Sequence, residues 1–255
     1  MEHAFLGVPG VDAWLFAELS LAAFATTMFG VVVGTAGGLL LLGFMAFFFP
    51  PAVLVPVHTF VQLGAGASRA VMLRRWVMRP TVIPFAIGCA IGAAAGARIF
   101  VALPEAWLEG ILGVFILFVT WMPRFGKMGS ERSRFALLGA ASTFLGMFVS
   151  ATGTLVAPFV LSASPDRRNH IATLATLMSI VHIAKLIGFA VLGIAIGAYV
   201  PLVAAMIVTA MLGSWVGAVT VERMPERTFR LLVQAILTIM GIRMVWLAAV
   251  AAAGL

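Results

Sequence analysis

Charge is what this chain has least of. Only 10 % of its 255 residues are Asp, Glu, Lys or Arg, against about 25 % in a soluble globular domain. Such a chain is not a water-soluble globule. No Asp or Glu stands in the middle of an apolar segment, which removes the carboxylates from which membrane pumps build acidic proton relays. One cysteine, Cys89, excludes an intramolecular disulfide and a cysteine-built metal site. Before the first basic side chain, Arg69, the chain carries only Glu2, Asp12 and Glu18 as charges. The basic start of a cleaved signal peptide is therefore missing, and the N-terminus is expected to be retained and to face away from the cytoplasm.

What fills the chain instead is apolar sequence, 63 % of all residues, recurring from Trp14 to the C-terminus. This is an integral membrane protein with no room for a sizeable soluble domain. The net charge of +7 does not point to nucleic acid, because all the basic residues except Arg98, Lys185 and Arg243 stand in short clusters between apolar segments. Clusters of that kind mark cytoplasmic loops facing anionic headgroups.

Two runs of small and hydroxyl residues interrupt the apolar segments, Gly34-Thr35-Ala36-Gly37-Gly38 and Ser150-Ala151-Thr152-Gly153-Thr154. Glycine this dense disfavours a helix, and broken helix is tolerated at membrane depth only where protein buries it or a polar cavity runs beside it. Close helix packing explains either run alone. Both together, at matching positions, favour a ligand site.

The positions match because the chain repeats itself. Gly92, Gly96 and Ala97, followed by Pro104-Glu105, answer Gly213, Gly217 and Ala218, followed by Pro225-Glu226. Gly38 and Pro50 likewise answer Gly153 and Pro165. Residues 1–125 and 126–255 thus read as two repeats in one membrane domain. Each comprises a pair of short segments meeting at the glycine break and three longer ones, Val53–Ala67, Thr81–Val101 and Trp107–Met122 in the first half. Basic clusters at 69–79, 124–134, 167–168 and 223–230 all fall on one side of the membrane only if the second repeat is inverted. The expected fold is an all-α polytopic protein of eight to ten spans, depending on how the short arms are counted, with both termini extracytoplasmic. A stretch of about 12 residues covers roughly 18 Å of a hydrocarbon core of about 30 Å, so the short arms are expected to form two hairpins whose tips meet in the middle.

Each second arm begins at its tip, which aims two helix N-termini at the membrane centre. Their unpaired N–H groups and positive dipole ends favour an anion. Thr35, Ser150, Thr152 and Thr154 add hydroxyls, and Gly37, Gly38 and Gly153 let an oxyanion approach the backbone. Outside the tips, Lys185 and His182 sit one turn apart in an apolar run; the lysine either meets the anion or snorkels outward. His58, with Thr59 and Gln62 on the same segment, either lines the cavity or is a buried histidine bonded to a carbonyl. Arg98 reads as an interfacial anchor, and Arg243 as a substrate-path residue or a helix contact.

With these residues the chain resembles the TauE/SafE family of sulfite and organosulfonate exporters, also called the 4-toluene sulfonate uptake permease family, over nearly its whole length. The family's glycine break followed by proline appears as Gly153 with Pro158 and as Gly37-Gly38 with Gly43 in the proline's place. Its hydroxyl-rich helix appears as His58-Thr59 and as Thr173 with Thr176. The resemblance implies a transporter of sulfite, sulfoacetate or thiosulfate, commonly outward across a bacterial inner membrane. The partners expected are thus a small anion and the lipid bilayer, with a homodimer left open; no cofactor is expected. An enzyme is the weaker reading, since no HExxH, paired-carboxylate or Ser/His/Asp set lies within apolar segments. A scaffold or assembly factor would have no need of paired breaks, and a channel stays open as an alternative to alternating access.

Overall fold

Local chemistry sets where the helices start. Asp12 accepts a hydrogen bond from Leu15 N at 2.8 Å and so caps α1, Ala13–Val33. Asp166 does the same for Asn169 N at the head of α8, Arg167–Val191. Proline takes the first turn of α3, Pro51–Met72, and of α4, Arg79–Ala102, where its missing N–H costs nothing. The remaining helices are α2, Ala36–Met45; α5, Glu105–Trp121; α6, Glu131–Val149; α7, Gly153–Ala163; α9, Val200–Thr220; and α10, Glu226–Ala253. This computed structural model describes residues 4–33, 36–121, 131–150, 152–194, 196–220 and 226–253, and no strand occurs among them. Gly34, Thr35, Ala151, Pro225 and the centre of the second basic loop lie outside the described residues.

Among the described residues, four stretches are long and apolar enough to cross a bilayer: Ala13–Gly30, Arg79–Phe100, Arg168–Val191 and Gly197–Gly217. Their outer faces are greasy. Ile83, Ile87 and Ile91, a turn apart on α4, are each more than half exposed, a stripe that suits lipid tails and not water. The protein is therefore a multi-pass membrane protein. The short helices α2 and α7 have 10 and 11 residues, too few to span about 30 Å alone.

Helices pair across the chain: α1 lies on α9, α4 on α6, α5 on α10 and α3 on α8. Small residues bring the first two pairs close. A Cβ on Gly92 would strike the Ala140 carbonyl of α6, and one on Gly213 would strike the Phe24 carbonyl of α1. A large apolar core around Leu42, Val57 and Met206 and a smaller one around Phe85, Val156 and Val181 fill the interior.

The first interruption is shorter than its composition suggests. Helix α2 already begins at Ala36, so Gly37 and Gly38 form its first turn. The cause is packing against α1. A Cβ on Gly37 would meet the Thr26 carbonyl and would lie 2.8 Å from Gly30 Cα, so glycine is what lets the two arms fold together.

Candidate functional site

The second interruption turns on Ser150. Helix α6 ends at Val149, Ser150 adopts a left-handed φ of 55°, and α7 starts at Gly153 behind Thr152. That conformation costs a non-glycine residue about 1–2 kcal/mol. It places the Ser150 hydroxyl 2.9 Å from His58 Nδ1, 2.9 Å from Thr59 Oγ1 and 2.9 Å from Lys185 Nζ. Lys185 Nζ also donates to Thr59 Oγ1 at 2.8 Å. His58, Thr59 and Lys185 are 0 % exposed and Ser150 1 %. Helices α3, α6 and α8 thus meet at one closed polar cluster.

The proton directions follow from the acceptors. A carbonyl only accepts, so His58 Nε2 donates to Gly38 O at 2.8 Å, and Nδ1 of the neutral ring accepts from Ser150. Thr59 donates to Val55 O at 2.6 Å. Both hydroxyl oxygens are then free to accept from the lysine. An ammonium carries three protons, and Lys185 places two. No carboxylate pairs with it among the described residues, so in its charged form it would be held there by neutral dipoles.

Further polar groups stand beside it without partners. Thr152, 1 % exposed at the head of α7, has no hydrogen-bond partner for Oγ1, and His182, one turn before Lys185, has none for Nδ1 among the described residues. Gly146 on α6 gives Thr152 and Lys185 a common floor: a Cβ there would lie 3.3 Å from Lys185 Cδ and 3.6 Å from Thr152 Oγ1. Gly153 and Thr154 follow in the first turn of α7, where Leu155 N and Val156 N donate to Thr152 O. Such a place can hold an anion, with donors from a lysine and a hydroxyl.

The structure therefore gathers Gly38, His58, Thr59, Ser150 and Lys185 into one cluster and sets Thr152 beside it. The amide nitrogen of Gln62 lies directly over Gly38. Gly37 faces α1 instead, and Thr35 lies outside the described residues. Lys185 does not snorkel outward, and His58 satisfies both of its readings, bonding a carbonyl with one nitrogen and the cluster with the other. Arg243 stacks on Phe47, in the turn after α2, at 4.5 Å, and Arg98 is exposed near the end of α4. Thr173 accepts from Met78 N and Thr176 donates to Ala172 O, so both hold backbone. Gly146 was missed by sequence reasoning, although it shares a helix face with Thr143 and leads to Ser150 by helical spacing.

No curated protein and no solved structure matches the chain. A model of one family, Sulfite exporter TauE/SafE, does match, over residues 19–244. That is nearly the whole chain, and with it come the membrane-transporter role of a sulfite-exporter type and a small anion as the class of cargo. The chain belongs to the sulfite exporter TauE/SafE family.

Proposed function

We propose that the protein is a secondary transporter of small sulfur-containing oxyanions, of sulfite, organosulfonate or thiosulfate type, which it exports across a bacterial inner membrane. The observation that carries the reading is Lys185, a fully buried amine whose partners among the described residues are the neutral hydroxyls of Thr59 and Ser150. An unpaired charge at that depth costs several kcal/mol, and a bound anion would offset it. The Thr152 hydroxyl would supply a further donor, with His58 orienting Ser150 through its bond to Gly38 O. Outward movement is downhill for an anion by about 2.3 kcal/mol per charge per 100 mV in a negative-inside cell.

The helix pairing supports two inverted repeats, 1–125 and 126–255. Contact of α1 with α9 and of α4 with α6 is one pairing with the halves exchanged, and α3–α8 and α5–α10 each join an element to its counterpart. In that arrangement the cluster lies near the bilayer midplane, and rocking one half against the other would open it to each side in turn.

Purified protein in proteoliposomes tests the proposal. Sulfite and sulfonates should raise its melting temperature, should exchange across the membrane in counterflow as a carrier requires, and should do neither in Lys185→Gln. Flux without counterflow would make the protein a channel. No thermal shift with any oxyanion and no flux would leave a scaffold.

A further inference from the structure

A second basic feature lies on the outside of the bundle, where α3 gives way to α4. Its position and its chemistry separate it from the buried cluster. A cavity of about 480 Å³ opens there between Ala70 and Val71 of α3, Arg74 and Val77 of the connecting turn, and Arg79 and Ile83 of α4. Two arginines face a pocket whose other walls are apolar except for Thr176, and no acidic side chain among the described residues lines it.

The connection is held in place before any ligand arrives. Asn169 Nδ2 donates to Trp76 O at 2.7 Å, and Met78 N donates to Thr173 Oγ1 at 3.0 Å, so α8 fixes the turn from behind. Arg75 and Arg168 are occupied by the Trp76 ring, at 5.6 and 5.3 Å from its centroid. Arg74 and Arg79 have no ion-pair partner among the described residues and are exposed.

The surroundings identify the ligand class. Arg79 opens the membrane-crossing stretch Arg79–Phe100, which sets the two guanidinium groups at the boundary between hydrocarbon and headgroups. Below and beside them, Val71, Met72 and Ile83 are 66, 80 and 70 % exposed. A soluble anion would meet the arginines but leave that apolar skirt uncovered. A phospholipid satisfies both, its phosphate taking the bidentate geometry that arginine favours and its acyl chains covering the valine and isoleucine faces.

We infer that the Arg74–Arg79 pocket is a binding site for the headgroup of an anionic membrane phospholipid. The site is independent of the transport reading, since none of its residues belongs to the buried cluster. Occupancy would clamp the junction of α3 and α4 against α8 from the membrane side.

Native mass spectrometry of delipidated full-length protein in neutral detergent provides the test. Phosphatidylglycerol, phosphatidylcholine and inorganic phosphate would be titrated separately. Wild type should retain phosphatidylglycerol about tenfold or more better than phosphatidylcholine, and phosphate at the same concentration should neither bind nor displace it. Arg74→Gln with Arg79→Gln should erase the preference, Arg74→Lys with Arg79→Lys should keep part of it, and Arg98→Gln with Arg243→Gln should keep all of it. Equal retention of the two lipids by wild type would overturn the proposal without any variant. So would full displacement by inorganic phosphate, or an unchanged preference in the glutamine double variant.

Discussion

The two interruptions have similar composition and do different work. At the first, glycine removes bulk: Gly37 lets α2 fold back on α1, and Gly38 offers its carbonyl to His58. At the second, a non-glycine residue accepts a left-handed conformation, and its hydroxyl joins three other side chains. The first tip is built on steric absence and supplies an acceptor; the second is built on hydrogen-bonding presence and stands with the donors. Small-residue runs that look alike in sequence thus divide into a packing device and a polar hub, and substitutions should tell them apart.

The largest separation is expected from Lys185→Met. Anion flux should fall at least a hundredfold, matching the loss of about 3 kcal/mol when one partner of a desolvated charge contact is removed. Thermal stability should hold or rise by about 1–4 kcal/mol, since a buried charge without a counter-charge is gone. A large drop in melting temperature with flux preserved would make the lysine structural.

At the first tip the effect should fall on folding instead. Gly37→Val drives side-chain atoms into the Thr26 carbonyl and the Gly30 backbone, so chemical or thermal unfolding should register a loss of about 3 kcal/mol. Gly38→Ala meets only the end of the Gln62 side chain, which can swing away, and should cost less than about 1 kcal/mol. Equal losses for the two would erase the steric account of this tip.

Ser150 offers a matched pair. Ser150→Ala should lower flux roughly tenfold, because His58 Nδ1 loses its donor inside the protein, at about 1–3 kcal/mol. Ser150→Gly removes the same hydroxyl but relaxes the left-handed backbone, so it should be the more stable of the two variants by about 1 kcal/mol while transporting no better. Unfolding measurements that rank alanine above glycine would count against strain at this residue.

Smallest of all should be Thr152→Val. Its hydroxyl has no partner among the described residues, so the melting temperature should stay within a degree or two, as befits a change below about 0.5 kcal/mol. Anion affinity, read from ligand-induced thermal shifts, should still weaken several-fold if that hydroxyl meets the cargo. An unaltered affinity would leave Thr152 as filler.

Much of the architecture was legible before any coordinates. Apolar runs long enough for helices, recurring from Trp14 onward, locate most of the helices, because burial in lipid demands continuous apolar stretches. Boundaries shifted where sequence alone underestimated a helix, as at α3, which runs on to Met72, and at Gly37, which packing against Gly30 and Thr26 draws into a helix. Lys185, His58 and the hydroxyls could be singled out by type, since polar groups are few and costly in lipid. Their roles could not: whether the lysine reached the surface, and which nitrogen of His58 met what, depended on residues far away in the chain.

By itself the sequence determined that this chain lives in a membrane and that its described residues are helical without strands. Those properties are sums over composition and local spacing. Only the tertiary structure decided that Ser150 would touch His58, Thr59 and Lys185, residues separated by 92, 91 and 35 positions. Burial and hydrogen-bond geometry are set by which helices pack together, and no stretch of sequence carries that information alone.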